Sequence, residues 1–188
     1  MTVDEILSLV PDKFEHKTTT SKKFKRDVFT FFDKPEFKNK TALEIGSNLG
    51  YTTFILSYLF NQVYGINEKE FDKADEFCKQ NGRTNVKFFG QDVYKYGLPV
   101  DTADVIMVDA LHTYDAVQID VYNALKLKSD GKKYFIFDDV GAYPEIINSL
   151  NDLFEKNVIK PIVKIGHSDE EKFTRPLHDW EGVICIEV

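Results

Sequence analysis

From Thr41 onward the chain alternates short apolar runs with stretches whose apolar residues recur every three or four positions. These are the signatures of strands and of amphipathic helices. Thr41 to Ile45, Gln62 to Asn67, Val86 to Phe89, Ala103 to Val108 and Tyr134 to Phe137 read as successive strands. Tyr51 to Phe60 reads as a helix, and Phe71, Ala74, Phe77 and Cys78 mark one face of the next, which Asn81-Gly82 closes. The third strand leads into a loop through Gly90, Gly97 and Pro99. Tyr114 to Lys128 places Val117, Val121, Ala124 and Leu125 on one side of a helix ended by Ser129-Asp130-Gly131. Pro144 suits the first turn of a further helix, whose buried face is Ile146, Ile147, Leu150, Leu153 and Phe154. The last two strands, Pro161 to Ile165 and Gly182 to Val188, are joined by a polar loop and so pair antiparallel at one edge.

Repeated strand–helix units predict a doubly wound α/β fold: a seven-stranded, mainly parallel sheet with an antiparallel edge hairpin and helices on both faces. Ahead of this domain at residues 41–188, residues 1–40 form a helical preface placed to fold over a ligand as a lid. Its helices are Thr2 to Val10, ended by Pro11, and Ser21 to Asp33, with Phe24, Val28, Phe31 and Phe32 at helical spacing for packing.

Composition narrows the function classes. With 188 residues, 43% hydrophobic and 29% charged, the chain can bury the core of one globular domain. A net charge of −7 disfavours a general nucleic-acid surface, and Lys17 to Arg26, the one basic stretch, reads as a solvated helix start. Cys78 and Cys185 are too far apart for a disulfide framework or a thiolate zinc site, which suits a reducing compartment. No apolar leader core or membrane-length run is present, so a cytoplasmic protein is expected. Self-association is left open.

The chemistry concentrates at strand ends. Leu43-Glu44-Ile45-Gly46-Ser47-Asn48-Leu49-Gly50 turns a strand through glycines into a helix. Gly46 allows close approach to the backbone, and Gly50 allows tight helix–strand contact or an unusual φ. The spacing is not the Gly-x-Gly-x-x-Gly that seats a pyrophosphate, and Glu44 would repel a phosphate while suiting a cationic or hydroxyl-bearing ligand. That disfavours a nicotinamide-dependent oxidoreductase. The other strands end at Asn67-Glu68, Gln91-Asp92, Asp109 and Asp138-Asp139. Each acid suits a cap or turn alone, but polar residues at five successive strand ends point to one shared pocket.

Together these features resemble the class I S-adenosylmethionine-dependent methyltransferases, a Rossmann-like family, over Thr41 to Val188. Asp109-Ala110-Leu111-His112-Thr113-Tyr114, followed by Asp138-Asp139, is similar to the small-molecule O-methyltransferases that carry a D-x-x-H-x-Y segment and a later acidic pair. Some of those relatives hold a divalent metal with strand-end acids. The resemblance implies that Gly46, Ser47 and Gly50 pass beside the methionyl part of the cofactor, with Glu44 oriented toward its amino group. The family's ribose-binding acid falls at Asn67, a departure from the pattern that leaves the role to Glu68 or to a weaker amide bond. Asp92, with Gln91 and Val93, takes the adenine position.

The acceptor side follows from the same resemblance. Asp109, Asp138 and Asp139 would form an oxygen-rich site for Mg²⁺ or Mn²⁺, which lowers the pKa of a bound hydroxyl. His112 is placed as general base, with Asp109 beside it in the catalytic site. Tyr114 and Asp120 read as structural. His16, His167, His178, Asp179 and Trp180 border the lid or the last loop, and Asp169 to Lys172 reads as a solvated run. The expected activity is methyl transfer from S-adenosylmethionine to a hydroxyl of a small acceptor, such as a sugar or natural-product intermediate. A metal-independent enzyme and a non-catalytic cofactor-binding protein are the alternatives.

Overall fold

The computed structural model describes all residues except 14, 16–18, 70 and 167–179. Seven strands form one sheet: β1 (Thr41–Ile45), β2 (Gln62–Asn67), β3 (Val86–Gly90), β4 (Val105–Val108), β5 (Tyr134–Phe137), β6 (Ile159–Ile165) and β7 (Gly182–Glu187), in the order β3-β2-β1-β4-β5-β7-β6. The first five pair in parallel, and β7 enters antiparallel between β5 and β6. This is the mixed sheet with an antiparallel edge hairpin that the alternation predicts. Strands β1 to β3 step outward and β4 returns to the other side of β1, so the order reverses between β1 and β4. A crevice at the carboxyl ends is expected there.

Both sheet faces are covered. On one, α2 (Lys22–Phe32) buries Phe24, Val28 and Phe32 against Val63, Val105, Met107, Ile136 and Ile184. On the same side α1 (Val3–Ser8) sets Ile6 and Leu7 against Phe54 and Ile55 of α3 (Tyr51–Leu56) and Ala74 and Cys78 of α4 (Asp72–Gln80). On the other, α6 (Tyr114–Leu125) and α7 (Pro144–Glu155) bring Val121, Ala124, Leu150 and Leu153 onto Ile106, Val108, Phe135 and Phe137. Burial on two sides explains why β4 reads as an unbroken apolar run.

Several local expectations change. The helix after β1 ends at Leu56 rather than Phe60. The loop after β3 contains a one-turn helix, α5 (Val93–Tyr96), capped by Asp92. Strand β6 begins at Ile159, ahead of Pro161, where the pairing shifts register on the edge strand. Tyr114, expected to pack, is exposed at the start of α6. The second preface helix is part of the core, because Phe24, Val28 and Phe32 have no exposed surface. Its start is fixed by Ser21, whose hydroxyl accepts from Phe24 N–H at 3.0 Å. The side chain of Lys25 is also fully enclosed, donating to Thr19 Oγ1 at 2.9 Å and to the Thr20 carbonyl, and burial lowers its pKa to about 8. Among the described residues, no helix is long and apolar enough to cross a membrane.

Candidate functional site

One cavity of about 580 Å³ opens at the carboxyl ends of the parallel strands. It is lined by Gly46 after β1, Asn67 and Glu68 at β2, Gln91 and Asp92 after β3, Asp109 to His112 after β4, and Asp138 and Asp139 after β5. Lys13 and Thr19 reach it from the N-terminal segment. The structure thus brings all five strand ends into one space, of a size typical for small-molecule sites.

The β1 turn closes on β2, with Gly46 N–H and Ser47 N–H both donating to the Ile66 carbonyl at 2.9 Å. Gly46 has φ +95°, and a Cβ there would fall 2.0 Å from the Asp109 carbonyl oxygen. Its smallness therefore serves a close crossing of the β1 and β4 turns at the switch point. Gly50, at φ +76°, faces Ala74 and Phe88 instead of the cavity, so its role is helix packing. Ser47, with an unpartnered buried Oγ, and Glu44 line a smaller recess next to Gly46. Glu44 is fully buried and accepts from the Thr53 hydroxyl, and burial pushes its pKa up to about 8. It points into the turn's own scaffold.

The polar groups after β2 and β3 are locally engaged. The Asn67 side-chain amide donates to the Lys69 carbonyl at 2.5 Å, and exposed Glu68 lies 3.5 Å from Lys69 Nζ. Asp92 Oδ1 caps α5, accepting from Tyr94 N–H at 3.0 Å and Lys95 N–H at 3.2 Å. Tyr94, in turn, donates its hydroxyl to buried Asp120 at 3.2 Å and accepts from Leu111 N–H at 3.4 Å. This ties the β3 side of the cavity to the turn that carries His112.

After β4 and β5 the charges face one another. His112 Nε2 lies 3.3 Å from Asp139 Oδ2 and 3.8 Å from Asp109 Oδ1, and its ring stacks on Tyr143 with centroids 4.4 Å apart. The Asp109 carboxylate, and then Asp139, raise the His112 pKa against the cost of burial. Burial raises Asp109, opposed by His112. Asp138 is only 5% exposed, its Oδ1 has no partner, and burial followed by Asp109 and Asp139 lifts its pKa well above the carboxylate range.

Asp139 has φ +54°, in the left-handed region that residues other than glycine seldom adopt. The ligand-capable atoms of Asp109, His112 and Asp139 lie within 4.8 Å of one another, and Asp138 is outside this trio. The expected set of Asp109, Asp138 and Asp139 is revised accordingly. Lys13, which no pattern singles out, places Nζ 3.0 Å from Asp139 Oδ1 and 3.5 Å from Glu181 Oε1. Burial opposes its charge, but Asp138, Asp139 and Glu181 raise its pKa above the ordinary lysine value. His16, His167, His178 and Asp179 lie outside the described residues, as does the run from Asp169 to Lys172. Trp180 is buried.

No family model matches the sequence, and no sequence relative is found among curated proteins. Solved structures do resemble it. A SAM-dependent methyltransferase from Aquifex aeolicus superimposes with a TM-score of 0.62 at 19% identity, covering 100% of both chains. A tRNA methyltransferase from the same organism gives 0.65 at 19% identity, over 100% of this chain and 75% of that one. The magnesium protoporphyrin IX methyltransferase of Synechocystis, with SAM bound, gives 0.64 at 14% identity, over 87% and 78%. Their named acceptors differ widely, and what the chain shares with them is the architecture: a Rossmann-like methyltransferase fold.

Proposed function

We propose that this chain transfers a methyl group from S-adenosylmethionine to a hydroxyl of a small acceptor. The observation that carries the reading is the shared cavity, bounded by the Gly46 turn on one side and by Asp109, His112 and Asp139 on the other. The shared fold supports the cofactor. The cavity's modest volume, which donor and acceptor must share, supports a small acceptor.

When bound, S-adenosylmethionine supplies a methyl carbon made electrophilic by its sulfonium. The chain's task is to hold an acceptor oxygen in line with that carbon and to dispose of the hydroxyl proton. The Gly46–Ser47 turn and Asp92 form the cofactor wall, and Asn67 and Glu68 flank the ribose position. Stacking on Tyr143 orients the His112 ring, whose Nε2 faces the Asp109 and Asp139 carboxylates. Asp109 and Asp139 stabilise positive charge on that ring once it has taken a proton.

A divalent ion fits the donor chemistry of Asp109, His112 and Asp139, and the adjoining buried Asp138 Oδ1 has no partner. Such an ion would acidify the acceptor hydroxyl. With Nε2 committed to an ion, His112 takes no proton; with Nε2 free, it is the base. The metal-independent reading is favoured by one specific contact, the Lys13 ammonium on Asp139, which already supplies a positive charge there.

The test is calorimetry with S-adenosylmethionine and its demethylated product, followed by transfer of labelled methyl to a panel of sugars and phenols with chelator or Mn²⁺. Micromolar cofactor binding with transfer to a hydroxyl is expected. Loss of transfer in chelator selects the metal-assisted form. Absence of cofactor binding by the folded protein overturns the proposal, and binding without transfer to any acceptor would favour a non-catalytic role.

A further inference from the structure

The N-terminal segment delivers an ammonium to the same carboxylate that a divalent ion would use. Both oxygens of Asp139 already have a nitrogen beside them: the Lys13 ammonium, donating to Oδ1 at 3.0 Å, and His112 Nε2, 3.3 Å from Oδ2. An ion drawing on Asp109, His112 and Asp139 would lie within a few ångströms of that ammonium, in partly enclosed surroundings where like charges repel strongly. Resting on the metal-assisted reading above, we propose that Lys13 and a divalent cation are mutually exclusive partners of Asp139. Lys13 thereby sets the ion affinity of the site.

The exchange needs no rearrangement of the fold. Lys13 is 37% exposed on a flexible stem, and it has a second carboxylate within reach in Glu181. Glu181 is anchored independently, because it accepts from Ser21 N–H at 2.7 Å and from the Ser21 hydroxyl. Ser21 also caps α2, so the helix stays tied to Glu181 when Lys13 leaves Asp139. Asp138 leaves a buried Oδ1 with no partner beside the exchange point, an oxygen that neither Lys13 nor His112 takes up. By linkage, whatever Lys13 gains on Asp139 an ion must overcome, and an ion that binds displaces Lys13 to the same degree.

Calorimetric titration of the full chain with Mn²⁺ alone tests this without reference to turnover. Lys13→Met is expected to bind Mn²⁺ about tenfold more tightly than the unmodified protein, because a competing charge is removed. Lys13→Arg, which keeps the cation, should match the unmodified protein. Lys22→Met is the control for net charge, since Lys22 pairs at 4.0 Å with Glu15, and it should change affinity by less than about twofold. Thermal melts establish that each variant is folded. Equal Mn²⁺ binding by Lys13→Met and the unmodified protein overturns the competition and leaves the metal-assisted reading standing. An equal gain in Lys22→Met reduces the effect to overall charge and also overturns it. No Mn²⁺ uptake by any variant removes both.

Discussion

The two halves of the cavity rim treat their polar groups in opposite ways. Around β1 to β3 the charged and amide side chains are occupied locally, Glu44 by Thr53, Asn67 by the Lys69 carbonyl and Asp92 by the first turn of α5, while the Ser47 hydroxyl has no partner. What that half offers a ligand is largely backbone and shape. Around β4 and β5, Asp109, His112, Asp138 and Asp139 are crowded together, with one carboxylate oxygen unpartnered and the titrations displaced by burial and by one another. Strained protonation is costly to a fold and is concentrated where chemistry requires it. The contrast marks the first half as a seat and the second as the reacting end.

Glu44 offers the largest challenge to that division, because it is a buried acid on the seat side. Its pKa of about 8, against 4.5 ordinarily, means the folded state holds a proton that the unfolded state releases between those values. Folding stability therefore falls as pH rises from about 4.5 to 8, by an amount on the order of a few kcal/mol. Glu44→Gln keeps an acceptor for Thr53 and cannot ionise, so it should flatten that slope and be more stable than the parent at pH 8. Urea unfolding across the range checks this, and parallel slopes in the two proteins would show that Glu44 ionises freely and lies closer to the reacting groups than its contacts indicate.

A smaller effect is expected at His112. His112→Ala should lower methyl transfer by roughly 100-fold, the usual scale for a lost general base, while leaving cofactor affinity within about twofold. In the metal-independent form the parent's turnover should rise with pH through a value above the ordinary histidine range, because neighbouring carboxylates stabilise the protonated ring. Turnover that is flat from pH 6 to 8 and survives His112→Ala would remove the reacting half as described. The least effect belongs to Asn67→Asp. A carboxylate no longer able to donate to Lys69 is free to accept from ribose hydroxyls, so cofactor binding should tighten about threefold. Weakened binding in calorimetry would place the ribose elsewhere.

Much of the scaffold was legible because two-sided burial writes itself into composition: Val105 to Val108 can be little else than an inner strand. The strand-end acids were equally visible, as each follows an apolar run. Their division of labour was not. Asp138 and Asp139 are adjacent and identical in type, yet one faces His112 and the other is enclosed. Gly46 and Gly50 look alike in the motif, yet one crosses the Asp109 backbone and the other packs on Ala74. Lys13 arrives from a segment 126 positions away from Asp139, a distance over which no periodicity carries information. Helix α5 is a single turn, too short to show a repeat.

The insertion of β7 beside β5 has a bearing on how the molecule is made. Phe137, the residue before Asp138, is flanked by Val183, and Val140 N–H donates to the Glu181 carbonyl. During synthesis on the ribosome, the seat at β1 to β3 has all its strand neighbours once β4 ends at Val108, about seventy residues before Glu181 emerges. The acids after β5 gain their support only when residues 181–187 have been translated, so a nascent chain acquires its reactive end last.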